Sequence, residues 1–265
     1  MDRQRLVQTA QALVAEKKGI LAADESGGTI KRRFDSISVE STEENRRNYR
    51  EMLFRTAGVA DFVSGVILFD ETIRQDGADG IPLVKVLSGQ GIIPGIKVDK
   101  GTVPLPSAPD ELVTEGLDGL LGRVEEYVGL GARFAKWRAV ITIGKEMPSA
   151  QCIHVNAHAL GRYAKICQEG GLVPIVEPEV LMDGDHSIQR CYEATEDTLR
   201  EVFSQLDRQG VELEGTLLKP NMVRSGTKCA GENVTLHVQC IDLCLNQAFL
   251  VLIKIENTTD GNSKD

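Results

Sequence analysis

An α/β fold built on a parallel sheet is the fold class this sequence predicts, and three observations carry it. Short apolar runs rich in Val and Ile alternate with longer stretches whose apolar residues recur at helical spacing. The starts of the short runs lie about 40 residues apart, room for a strand, a helix and their connections. Charged residues stand at the C-terminal ends of successive runs, where a (β/α)8 TIM barrel gathers its active site.

The chain opens on MDRQRLVQTAQALVAEKKG, in which Leu6, Val7, Ala10, Leu13 and Val14 mark a helix rather than a signal peptide. Residues 19–23 form the first predicted strand, and Asp24 follows it. Ser41 and Glu44 read as a capping box that opens a helix through Arg50 and Phe54. Strands are predicted at 63–69 and 92–98, the latter ending around Lys97. The strand at 134–141 carries Lys136 and Arg138 inside an apolar run. A helix over 156–167 leads to a strand at 172–176, which ends in Glu177 and Glu179. A helix over 194–209 leads to the sixth strand, 215–220, which contains Lys219. Residues 249–256, FLVLIKIE, read as a seventh strand, and the polar ending NTTDGNSKD leaves none for the eighth that a closed barrel needs. The barrel is therefore expected to be incomplete.

Composition narrows the function. The 265 residues are 42% hydrophobic and 26% charged, as in an ordinary globular protein. With 39 acidic against 30 basic side chains the net charge is −9, which argues against nucleic acid or an anionic membrane as partner. No apolar run reaches the length of a membrane span. Cys152, Cys167, Cys191, Cys229, Cys240 and Cys244 form no CxxC pair and read as reduced thiols of a cytoplasmic protein.

Charges embedded in apolar strands are costly unless they serve a purpose. An ammonium at the end of such a strand, beside other cations, is driven toward its free amine by desolvation and repulsion. Lys219 in VELEGTLLKPN (211–221) has that setting, and a free amine there can attack a ketone to form an imine. A protonated imine withdraws electrons, so a neighbouring carbon–carbon bond can break. His154 and His158 share a helical spacing that suits zinc, but the zincin glutamate and a third ligand are missing, so they read as helix-surface histidines. Cys240 and Cys244 read as apolar filler.

The stretch at 211–221 resembles the active-site signature of class I fructose-bisphosphate aldolases. So do LAADES (21–26), TEENRR (42–47), GVILF (65–69), GIKVDKG (95–101), FAKWR (134–138), IVEPE (175–179) and, more loosely, CYEATEDTL (191–199), all in family order. The resemblance implies an eight-stranded α/β barrel that cleaves fructose 1,6-bisphosphate to two triose phosphates without metal or cofactor. It implies that Lys219 is the Schiff-base lysine and that Asp24 takes the C4 hydroxyl proton. Glu177 resembles the acid/base that removes water from the carbinolamine. Lys136 resembles the neighbouring cation that tunes Lys219, and Glu179 is implied to hold these lysines by charge pairing. Arg33, Arg138 and Lys97 are implied to hold the C6 phosphate, with Ser26 and Thr29 as hydroxyl donors and Arg46 as a weaker candidate; guanidinium forks suit phosphate. Lys31 and Arg32 belong to the same basic cluster without a separate role.

After about Glu232 the motifs stop. The family's Ser-Gly-Gly loop, phosphate-binding arginine and terminal tyrosine have no counterpart, so the C1-phosphate site has no identifiable residues. This implies a partial barrel domain over 1–232 and a divergent tail over 233–265, with little or no activity expected from the isolated chain. Three readings stand at this point. The first is a class I aldolase, a homo-oligomer (a tetramer in the family) acting on a small phosphosugar. The second is a truncated, impaired fragment that binds phosphosugars or full-length subunits. The third is another Schiff-base barrel, transaldolase-like or deoxyribose-phosphate aldolase-like, against which the basic cluster around Arg33 and Arg138 argues.

Overall fold

The computed structural model describes residues 1–229 in full and, of residues 250–251, the backbone. The helices are α1 (Arg3–Leu13), α2 (Gly27–Asp35), α3 (Glu43–Phe54), α4 (Val59–Phe62), α5 (Asp70–Ile73), α6 (Leu83–Ser88), α7 (Leu120–Leu130), α8 (Ala150–Glu169) and α9 (Ile188–Arg208). The strands are β1 (Gly19–Ala23), β2 (Val63–Leu68), β3 (Ile93–Lys97), β4 (Thr102–Leu105), β5 (Ala108–Thr114), β6 (Phe134–Ile141), β7 (Val173–Val180), β8 (Leu217–Leu218) and β9 (Leu250–Val251). Seven of them form one sheet in the order β1-β2-β3-β6-β7-β8-β9, every neighbouring pair parallel. Spatial order follows chain order, as successive βα units laid side by side require.

All six predicted strands are present. The seventh survives as β9, which continues the sheet in the register Leu217↔Leu250. The remainder of 249–256, the boundary at 232/233, and Cys240 and Cys244 lie outside the described residues.

Helix starts differ from expectation because the capping residues differ. Thr42, not Ser41, caps α3: its hydroxyl accepts from Asn45 N at 3.1 Å, while the Ser41 carbonyl accepts from Arg46. Ser149 and Ser187 cap α8 and α9, so these helices begin at Ala150 and Ile188 rather than at 156 and 194. The antiparallel hairpin β4–β5 was not expected. Its buried Glu111 carboxylate accepts from Ser149 N at 2.7 Å and from the Ser149 hydroxyl, which pins the hairpin to the start of α8.

Side chains on a strand alternate between faces, so one set points to the inside of the curved sheet and the other to the helices. Ala135, Trp137 and Ala139 of β6 join Val176 and Leu218 in the main core beneath the helices. On the inner face, Ile67, Phe134, Val173, Ile175 and Leu217 meet Leu6, Ala10 and Leu13 of α1, which closes the N-terminal end of the sheet. Fully burying a side chain of this size stabilises by about 1.5–3 kcal/mol. Phe134 fills the floor because β2 and β3 carry Gly65 and Gly95 opposite it; a Cβ at Gly95 would run into its ring. Two residues further along the same inner faces, the apolar floor gives way to Lys97, Lys136, Glu177 and Lys219.

Candidate active site

The inner face of β6 reads Phe134, Lys136, Arg138, and that of β7 reads Val173, Ile175, Glu177, Glu179. Period-two alternation therefore lifts charge above the floor on both strands. Lys219 follows β8 on the same face, and its backbone N–H donates to the Val176 carbonyl at 2.9 Å, which extends the β7–β8 ladder to the lysine itself. Asp24 enters from the end of β1.

These four residues form a continuous chain. Lys136 Nζ lies 2.5 Å from Asp24 Oδ2 and 3.5 Å from Glu177 Oε2. The other Glu177 oxygen accepts a hydrogen bond from Lys219 Nζ. The Lys136 side chain is 9% exposed and that of Glu177 4%, whereas Lys219 is 43% exposed and reaches the open side. Burial works to lower the Lys136 pKa, but the carboxylates of Asp24 and Glu177, joined by Asp99, outweigh it and hold the ammonium above the ordinary lysine value. Lys136 is thus a fixed positive charge. Lys219 Nζ meets Glu177 directly, and the neighbouring cation Lys136 lies on the far oxygen of the same carboxylate.

Around this chain the other expected residues fall into place differently. Glu179 pairs with Arg138 and not with the lysines, which corrects the charge pairing implied by resemblance. Arg138 is 43% exposed. Lys97 Nζ lies 3.3 Å from the buried carboxylate of Asp99. Arg33, 58% exposed, pairs with Glu25. The Ser26 and Thr29 hydroxyls meet at 3.1 Å at the start of α2. A cavity of about 500 Å³ opens beside Lys97, walled by Ser26, Phe69, Asp99, Lys100 and Tyr127. Arg46 is not brought to this group. Its fork closes on Glu71 through two hydrogen bonds, 2.9 and 2.5 Å, and a third goes to the Ser41 carbonyl.

The residues missed from sequence are the carboxylates that hold the cations: Glu25, Glu71 and Asp99. Glu25 and Asp99 lie inside LAADES and GIKVDKG, so the signal for them was a charged residue within a motif already singled out. His154 Nδ1 meets Glu201 at 2.8 Å and His158 faces Gln205, so both histidines serve the α8–α9 contact. Among the described residues no group of three or more His, Cys, Asp or Glu is placed to hold a metal ion, and no helix is long and apolar enough to cross a membrane.

The curved parallel sheet thus joins two lysines on its inner face through one carboxylate. Residues 5–244 match the family described as class-I fructose-bisphosphate aldolase, a match that runs past Glu232, where the recognisable motifs stop. A probable fructose-bisphosphate aldolase class 1 of Xanthomonas campestris pv. campestris is 62% identical over 229 residues, 86% of this chain and 69% of the relative. The fructose-bisphosphate aldolase of Plasmodium falciparum is 53% identical over 237 residues, 89% of this chain and 64% of the relative. A solved structure of the Plasmodium falciparum enzyme, in complex with TRAP and a small-molecule inhibitor, matches with a TM-score of 0.86 at 53% identity, covering 88% of this chain and 67% of that one. The chain belongs to the class I fructose-bisphosphate aldolase family, a family of lyases. It spans about two thirds of the length of these relatives.

Proposed function

We propose that this chain is a fructose-bisphosphate aldolase of glycolysis and gluconeogenesis. It cleaves fructose 1,6-bisphosphate reversibly to dihydroxyacetone phosphate and glyceraldehyde 3-phosphate through an imine at Lys219. The observation that carries this reading is the unbroken run of ionisable groups from Asp24 through Lys136 and Glu177 to Lys219.

Position supports each role. Lys219 is the exposed member of the run and the one free to reach a carbonyl. Glu177, in contact with Lys219 Nζ, takes the ammonium proton and returns it to the carbinolamine hydroxyl as that leaves as water. The iminium then draws the electrons of the C3–C4 bond as Asp24 takes the proton from the C4 hydroxyl, which leaves an enamine on Lys219 and frees the aldehyde. Lys136, whose ammonium lies between Asp24 and Glu177, holds the two carboxylates in place for the substrate. Arg33, Arg138 and Lys97, with Ser26 and Thr29, take the C6 phosphate, and Glu179 sets the orientation of Arg138. A cytosolic location fits the Arabidopsis thaliana relative named fructose-bisphosphate aldolase 6, cytosolic, and assembly as a homo-oligomer fits the family.

Borohydride reduction in the presence of dihydroxyacetone phosphate, followed by peptide mass mapping, tests this. One adduct on Lys219, abolished by Lys219→Arg, is expected. An adduct on another lysine, or none, would overturn the assignment. An adduct without turnover of fructose 1,6-bisphosphate would favour the second reading, a phosphosugar-binding chain that forms the imine but does not cleave.

A further inference from the structure

Arg50 belongs to α3, outside the sheet, and its side chain is wholly buried. Its Nη1 donates to Thr72 Oγ1 at 2.7 Å, and its Nη2 donates to the Glu25 carbonyl at 2.8 Å. Two carboxylates balance its charge, Glu25 Oε2 at 3.8 Å and Glu71 Oε1 at 3.6 Å, and the guanidinium lies over the Phe69 ring, 5.7 Å from its centroid. Burying a guanidinium is costly unless it is both paired and hydrogen-bonded, and arginine keeps its charge even so.

The two segments it joins follow neighbouring strands. Glu25 comes after β1, and Phe69 and Thr72 come after β2. Asp24 and Ser26 flank Glu25 in the chain, and Ser26 and Phe69 both wall the cavity beside Lys97. The Glu25 carboxylate, besides facing Arg50, holds the exposed Arg33. One buried fork therefore fixes the carbonyl of Glu25, the carboxylate that steers Arg33, and the distance between two walls of the cavity.

We infer that Arg50 is a positioning residue for the far end of the substrate, the C4 hydroxyl and C6 phosphate, and acts through the Asp24–Ser26 segment and Arg33 without touching substrate. This rests on the aldolase reading above. It separates the site into two parts with different dependence on Arg50. Imine formation at Lys219 draws on β6, β7 and β8. Recognition of the carbons beyond C3 draws on the loop that Arg50 holds. A lysine at this position keeps the charge but cannot bond Thr72 and the Glu25 carbonyl in two directions from one planar group.

The test compares the full chain with Arg50→Lys and Thr72→Val, using borohydride trapping at Lys219 to read the half-saturating concentration of two ligands. Fructose 1,6-bisphosphate spans both parts of the site; dihydroxyacetone phosphate stops at C3. Arg50→Lys is expected to raise the half-saturating concentration of fructose 1,6-bisphosphate about tenfold or more, the scale of one lost charge-assisted hydrogen bond, and to leave that of dihydroxyacetone phosphate within about twofold. Thr72→Val, which removes one bond and leaves no buried charge unpaired, shifts the ratio in the same direction by less, and decides alone if Arg50→Lys does not fold. Equal losses for both ligands, or no change in either, overturn the inference and leave the aldolase reading standing. No adduct with either ligand in the parent chain overturns the aldolase reading, and the inference with it.

Discussion

Lys136 and Arg138 stand two residues apart on β6 and face the same way, yet their surroundings differ in kind. Lys136 is sealed between two buried carboxylates that come from other strands, Asp24 after β1 and Glu177 in β7. Arg138 is nearly half exposed and holds the neighbouring Glu179 alone. The same contrast divides the whole site. Around Lys219 the charges share partners, so each group's state depends on the next. At the rim each cation meets one carboxylate, Arg33 with Glu25, Lys97 with Asp99 and Arg138 with Glu179, and Glu25 also faces the buried Arg50. A chain of shared charges resists change, whereas a separate pair can open one partner at a time. On the proposed reading, a phosphate arriving at the rim would compete with carboxylates already in place, and its higher charge and bidentate geometry suit it to do so.

The sharpest way to break that contrast is to remove the shared cation. Lys136→Met leaves Asp24 buried without its counter-charge and Glu177 with Lys219 as its remaining cation, and is expected to cost about 3–5 kcal/mol of stability by denaturant titration. Because the native pKa of Lys136 is raised, its contribution is whole below the ordinary lysine value of 10.5 and is lost as pH rises through the native value. The parent chain should therefore show an alkaline loss of stability that Lys136→Met lacks, read as the difference between their stability curves above pH 10.5. A rim cation should behave otherwise. Arg138→Ala is expected to weaken fructose 1,6-bisphosphate by about tenfold in trapping experiments while leaving the melting temperature within a few degrees. The smallest effect belongs to Arg46, whose fork is spent on Glu71 away from the cavity. Arg46→Ala should cost about 1 kcal/mol or less and leave ligand half-saturation unchanged; a loss of binding there would place the phosphate site nearer α3 than the present geometry does.

The strands of the sheet were legible because burial on both faces writes itself as a predominantly apolar run, and because charge within such a run, as at Lys136 and Arg138 in 134–141, is conspicuous. Such charge singled out Asp24, Lys136, Glu177 and Lys219 as candidates, while their separate roles rested on the family resemblance. The β4–β5 hairpin was not legible, because Pro104, Pro106 and Pro109 break the alternation that would mark its strands. The starts of α8 and α9 were missed because their caps, Ser149 and Ser187, show themselves through hydrogen bonds to Cys152 N and Arg190 N, which a sequence pattern does not carry. Pairings were least legible of all. Whether Glu179 meets a lysine or Arg138 depends on the β6–β7 register, in which Arg138 lies opposite Glu177 and Val140 opposite Glu179. No local pattern fixes that register. Glu25, Asp99 and Arg50 were overlooked because each takes its meaning from a loop or helix distant in sequence.

Phe134 offers a last consequence, one that concerns how this sequence can change. Its ring occupies the space that a side chain at Gly95 would need and lies against the Cβ position of Gly65. The three positions therefore cannot drift independently. A bulkier residue at Gly95 is admissible only in a background where Phe134 has already shrunk, and a shrunken Phe134 leaves a void until one of the glycines fills it. The order of substitution matters as much as their identity, so paired replacements at 95 and 134 should recover stability that either replacement alone forfeits.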